Sequence, residues 1–216
     1  MLISGKEFRS FYLEKFSLIF ELFYKRGMVL WYTIFKIREV AKNVGGMAMS
    51  RIKNEPKIKN KLIKAIREQL EHRALWLYLL CDEAEKRGLD KMDFASAAIK
   101  RCGLINGKNL VNKGRTKSLK GLKKTLFTKP AQWVFEMDVL ESTDEALSLD
   151  FHYCPLVKAW QKAGCSDEEI GQLCDIAMCG DHGIGARYDS VLELPKCIAK
   201  GDEICALRYK KQKTGR

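Results

Sequence analysis

Six of the eight cysteines in this chain follow Trp133, where they interleave with acidic residues and two histidines. An ionised thiol is a nucleophile, and carboxylates and imidazoles carry protons. Such groups at short spacing are the raw material of a reactive or ligand-binding site. Cys154 directly precedes Pro155, a residue suited to the first turn of a helix. Its sulfur is therefore expected near free helix N–H groups, where the dipole favours thiolate. The alternative is a small buried residue at a tight junction. Cys174 shares a helical face with Ile170, Leu173 and Ala177, which suits either a nucleophile or a core residue. Asp181 and His182 stand between Gly180 and Gly183, in a segment expected to be a glycine-broken loop. There they could orient water or accept a thiol proton, or they could be solvated turn residues.

Other groups carry weaker signals. The order Cys174, Cys179, His182 resembles a metal-ligand run loosely, but it lacks CxxC-type knuckles, and neither a metal nor another cofactor is expected. Cys205 belongs to an apolar strand face and is a core or pocket-wall candidate. Cys165 and Cys197 are expected at the surface or a turn, without partners. Cys81 and Cys102 fall on helix faces, and His72 and His152 on outer surfaces.

The elements that must position these groups divide in two. From Leu62, apolar residues recur at steps of three and four through Ile66, Leu70, Ala74, Leu77, Cys81 and Ala84, one stripe on a helix of about seven turns. Asp90 is the expected N-cap of a second helix ending near Gly103. From Trp133 the period becomes two: Trp133, Phe135, Met137 and Val139, then Leu147, Leu149, Phe151 and Tyr153, which predicts a hairpin turning at residues 141–145. A helix from Pro155 to about Lys162 follows, then one opened by the capping box Ser166 to Glu169. Strands are expected over 187–194 and 203–210, with Lys200-Gly201-Asp202 as a turn. The fold class is α+β: long N-terminal helices packed on a C-terminal antiparallel sheet with interleaved helices. The basic helical region 1–125 and the α+β module 126–216 form one integrated domain.

The net charge of +12 is uneven, with +16 in residues 1–125 and −4 in the remainder. No acidic residue separates Asp93 from Glu136. A basic, Gly/Asn/Ser-containing stretch at 106–124 could touch phosphates. It has no aromatic platform, so a solvated loop is preferred and nucleic-acid binding ranks third among the functional readings. Phe8, Phe11, Phe16, Phe20 and Phe23 with their basic neighbours fit a peripheral contact with acidic lipid or, more simply, an amphipathic helix packed on its own domain or on a second subunit, which keeps a homo-oligomer in view. No signal peptide or membrane span is expected, and free thiols point to the cytoplasm.

An ordered set of residues carries a resemblance. It comprises Tyr153-Cys154-Pro155, then 173–178 (LCDIAM), 180–184 (GDHGI) and 198–202 (IAKGD), followed by Cys205 and a basic strand end. Over about 147–211 the chain resembles the L-2-amino-thiazoline-4-carboxylic acid hydrolase family. More distantly it is similar to small-molecule-binding domains of the four-vinyl-reductase type. The resemblance implies hydrolytic opening of a cyclic isothiourea to a carbamoyl-cysteine. It makes Cys154 or Cys174 the candidate nucleophile and Asp181, with His182, the acid–base group. Arg187 or Arg208 would hold the substrate carboxylate, beside Cys205. The alternative is a small-molecule sensor of the same fold without catalysis.

Overall fold

The computed structural model describes residues 50–212. The aromatic N-terminal residues Phe8 to Phe23 lie outside them. Asn60 opens helix α1 (Lys61–Lys86), its side chain accepting from the Leu62 and Ile63 N–H groups. Asp90 caps α2 (Lys91–Gly114) in the same way, and Ser118 caps the short α3 (Leu119–Thr125). These side chains satisfy amides that have no partner within the helix. Helix α2 runs past Gly103, where its end was expected. The basic stretch is therefore the last turns of a helix and most of α3, joined by Arg115 in a left-handed conformation at φ 52°. Leu119 and Leu122 of α3 are completely buried, which anchors the stretch to the core.

The hairpin differs from the expectation at its start. Trp133 and Phe135 belong to helix α4 (Lys129–Phe135), and strand β1 begins only at Met137 (Met137–Ser142). Pro130 at the start of α4 favours helix there. Strand β2 (Ala146–Phe151) alternates as expected, burying Leu147, Leu149 and Phe151. Pro155 starts α5 (Pro155–Lys162), and the full capping box of Ser166 and Glu169 starts α6 (Asp167–Arg187). Strands β3 (Ser190–Glu193) and β4 (Cys205–Lys211) complete an antiparallel sheet of order β1-β2-β4-β3. Between them lies a 3-10 turn, Ile198–Lys200, closed by Gly201 at φ 96°. Leu149 stands opposite Leu207 and Phe151 opposite Cys205, so one face of the sheet is apolar. The architecture is α+β, with the helices mostly N-terminal to the four-stranded sheet.

The expected loop at Gly180–Gly185 is helix instead, because α6 continues to Arg187. Glycine inside a helix costs about 1 kcal/mol relative to alanine. Here it lets two backbones meet: a Cβ on Gly183 would stand 2.5 Å from the Lys100 carbonyl oxygen of α2. The α1 stripe holds at Ala74, Cys81 and Ala84, which are buried, but not at its start, where Leu62 is 69% exposed and Ile63 and Arg67 are buried instead.

Arg67 is the buried charge that joins α1 to α4. Its guanidinium donates to the Val134, Trp133 and Ile58 carbonyls and pairs with Glu136 at 3.0 Å. It also lies 4.5 Å from the centre of the Tyr153 ring. Among the described residues, no helix is long and apolar enough to cross a membrane.

Candidate functional site

Helices α1, α2, α4, α5 and α6 and the apolar sheet face line an open cavity of about 540 Å³. Cys154, Cys174, Cys205 and Asp181 all line it. Four residues from three elements thus converge on one volume: Cys154 at the start of α5, Cys174 and Asp181 on α6, and Cys205 on β4. The rest of the wall is chiefly apolar, built by residues such as Leu77, Phe127, Phe135, Phe151 and Met178.

Cys154 is set by two devices. It precedes Pro155 at the start of α5, and Asn54 grips its backbone reciprocally, donating to its carbonyl at 2.8 Å and accepting from its N–H at 2.9 Å. Asn54 is 2% exposed, so this grip is inside the protein. The thiolate expected from the helix dipole is not favoured. Burial pushes the Cys154 thiol up to about 11, outweighing the Val157 and Leu156 amides that pull the other way. Desolvation exceeds the dipole because the sulfur sits among apolar walls.

Cys174 lies 3.6 Å from Cys197, sulfur to sulfur. Cys197, expected at a turn without a partner, is instead 3% exposed and lies within this thiol cluster. Its N–H donates to Asp202 Oδ2 at 2.7 Å, and the neighbouring Ile198 N–H donates to Cys205 Sγ at 3.3 Å. The bond to Cys197, with burial behind it, holds the Cys174 thiol above its ordinary value. Cys205 is raised for the same reasons. Cys197 is the sulfur of the three that ionises first, because Cys174 and Cys205 share their protons with it and the Ala199 and Lys200 amides face it. Cys165 packs half-buried against the core. None of the eight cysteines is in a disulfide.

Asp181 follows Gly180 on α6, and its carboxyl is raised to about 6 by burial, with Arg73 acting in the opposite direction. A carboxylate tuned to this range can both take and return a proton near neutral pH. Arg73 lines the same cavity from α1 and has no ion-pair partner among the described residues. No expectation from the sequence places Arg73 in the site. Its signal is a cation beside the apolar stripe of α1, next to Ala74 and between Leu70 and Leu77, on a residue that remains exposed.

Three expected site residues lie elsewhere. His182 follows Asp181 on the helix, so it points away from the cavity wall and is exposed. A loop could have turned both side chains inward; a helix separates neighbours by about 100°. Arg187, at the end of α6, donates to the Leu104 carbonyl at 3.2 Å. Arg208 stands on the opposite face of β4 from Leu207, where it pairs with Asp150 at 2.6 Å. Neither arginine lines the cavity. Among the described residues, no group of three or more His, Cys, Asp or Glu is placed to hold a metal ion.

Among solved structures, the chain is similar to a trafficking protein particle complex subunit 3 from Naegleria fowleri covalently bound to palmitic acid. The two share 13% identity at a TM-score of 0.45, over 68% of this chain and 96% of that one. No curated protein matches the chain. The model of the L-2-amino-thiazoline-4-carboxylic acid hydrolase family matches residues 67–209, which hold every cavity residue named above, and the chain belongs to that family.

Proposed function

We propose that the chain is a hydrolase that opens a small cyclic amidine-like ring at a C–N bond, with 2-amino-thiazoline-4-carboxylate or a relative as substrate. One observation carries the reading. A single cavity holds the half-buried Cys154 thiol and the buried Cys174 and Cys205 thiols, a carboxyl group raised to about 6 and an arginine without an ion-pair partner among the described residues. Arg73 receives the substrate carboxylate. Asp181, unprotonated at neutral pH, takes the proton of Cys154 or Cys174 as that sulfur bonds to the amidine carbon. The ring C–N bond then breaks, and the proton passes from Asp181 to the departing nitrogen. Water attacks the sulfur-bound carbon and releases the thiol with its proton. One water is consumed, and a carbamoyl group remains on the substrate's own sulfur.

A base is required in this scheme because a thiol raised to about 11 is ionised in about one molecule in ten thousand at pH 7. A mass-spectrometric turnover assay tests the reading with the wild type, Cys154→Ala, Cys174→Ala and Asp181→Asn. Loss of about 100-fold or more in Asp181→Asn and in one cysteine variant is expected. No turnover by folded wild type sinks it. Binding without catalysis is the second reading, favoured by the apolar wall and the protonated thiols, and binding by a wild type that does not turn substrate over would establish it. Eight cysteines outside any disulfide support a reducing, cytosolic setting.

A further inference from the structure

The site is much larger than the ring it would act on. A five-membered ring with one carboxylate displaces on the order of 150 Å³, about five water volumes. The cavity measures about 540 Å³. Its ionisable and polar groups are few: Arg73, Asp181, Asn106 and the thiols. Beyond them the wall is Leu, Ile, Phe, Met and Trp side chains. Solvent in that remainder meets chiefly apolar wall, and an apolar group that displaces it takes that wall out of water. A bare zwitterionic ring would therefore leave most of the apolar wall without a partner.

The rim repeats the pattern. Trp76 is 62% exposed and Leu80 59% exposed, yet both belong to the cavity lining. Large apolar side chains at a cavity mouth offer a path and a contact surface to an apolar group.

We infer that the substrate is an amidine-like ring carboxylate bearing a sizeable apolar substituent, its carboxylate at Arg73, its amidine facing Asp181, and its substituent against the wall formed by Leu77, Phe127, Phe135 and Met178. This rests on the proposed hydrolytic reading for the head group alone; the substituent follows from the wall and the volume. The charges are matched, one cation in the protein to the ligand's anion and one carboxylate to its amidine. The apolar area then supplies affinity that a small ring cannot.

The test is a series of 2-amino-thiazoline-4-carboxylates carrying hydrogen, ethyl, butyl, hexyl or benzyl at ring carbon 5. Each is titrated calorimetrically into the wild type at pH 7, and turnover is read by mass spectrometry on the same samples. Affinity should rise about fourfold per added methylene until the cavity is full. In Ala177→Phe, which narrows the cavity, the preference for hexyl over hydrogen should fall by tenfold or more. A flat or weakening series overturns the inference, and turnover of the unsubstituted ring would then leave the hydrolase reading intact. Rising affinity without turnover of any member supports the ligand class and removes hydrolysis. Failure of every member to bind overturns both.

Discussion

Gly103 of α2 and Gly180 of α6 meet so closely that a Cβ on Gly103 would stand 2.0 Å from the Gly180 carbonyl oxygen. Real side-chain carbons do not approach a backbone oxygen at that distance, and neither backbone is a flexible group that can step aside. The contact holds α6 against α2 at the turn that carries Asp181, the next residue. Gly103→Ala must therefore push the helices apart. It is expected to cost about 3 kcal/mol, at the upper end of overpacking penalties, and to widen the cavity. Urea denaturation measures the first effect. A wild-type midpoint for the variant would show that the crossing is looser than this contact implies.

The Arg67 network should dominate the stability of the α1–α4 junction. Arg67 and Glu136 side chains are 6% and 7% exposed, so Arg67→Met leaves a buried carboxylate without its cation. A loss of about 3–5 kcal/mol is expected. Lys64→Met breaks the exposed Lys64–Glu68 pair and should change stability by less than about 0.5 kcal/mol. Equal effects in the two variants, measured by denaturant unfolding, would contradict the burial of Arg67.

Asp181 imposes a defined pH dependence. Its carboxyl is raised from 3.8 to about 6 in the folded protein, so between these values the folded state holds a proton that the unfolded chain releases. This group's contribution to stability therefore falls as pH rises from about 4 to about 6, then stays level. Asp181→Asn removes the penalty. The variant should match the wild type near pH 4 and exceed it by on the order of 2 kcal/mol at pH 7. Turnover, if Asp181 is the base, should rise through pH 6 in the wild type and vanish in the same variant.

Thiol reactivity should follow burial. With Cys154 raised to about 11, its alkylation by iodoacetamide should keep accelerating with pH to that value, well past the range where a solvated cysteine levels off. Peptide mapping after timed labelling reads each cysteine separately. A plateau near pH 8.5 at Cys154 would mean that the Val157 and Leu156 amides outweigh desolvation.

Asn54→Ala should loosen Cys154 while changing no side chain of the cavity wall. Two hydrogen bonds to the Cys154 backbone are lost, about 1 kcal/mol each. Faster labelling of Cys154 at fixed pH is the expected sign.

Local grammar was readable along the chain. Asp90, Ser166 with Glu169, and Pro155 announce helix starts through the hydrogen-bonding capacity and ring geometry of single residues. The alternation of Leu147, Leu149 and Phe151 announces a strand with one buried face. The ordered residues around Cys154, Cys174 and Asp181 were enough to point to the family. Such signals act over a few residues and need no partner elements. Glycine at 180–185 carries no unambiguous local signal because its meaning depends on what lies opposite. Taken locally it breaks a helix, and against the Gly103 backbone it permits a helix crossing. The same dependence on distant partners hid Arg73, Asn54 and Cys197, which acquire their places only when α1, the segment before it and the turn before β4 meet the rest of the chain. Residue types and their order determined the α+β class and the chemistry on offer. Tertiary packing decided which groups share the cavity, because burial, neighbouring charges and volume are properties of the assembled elements and not of any one segment.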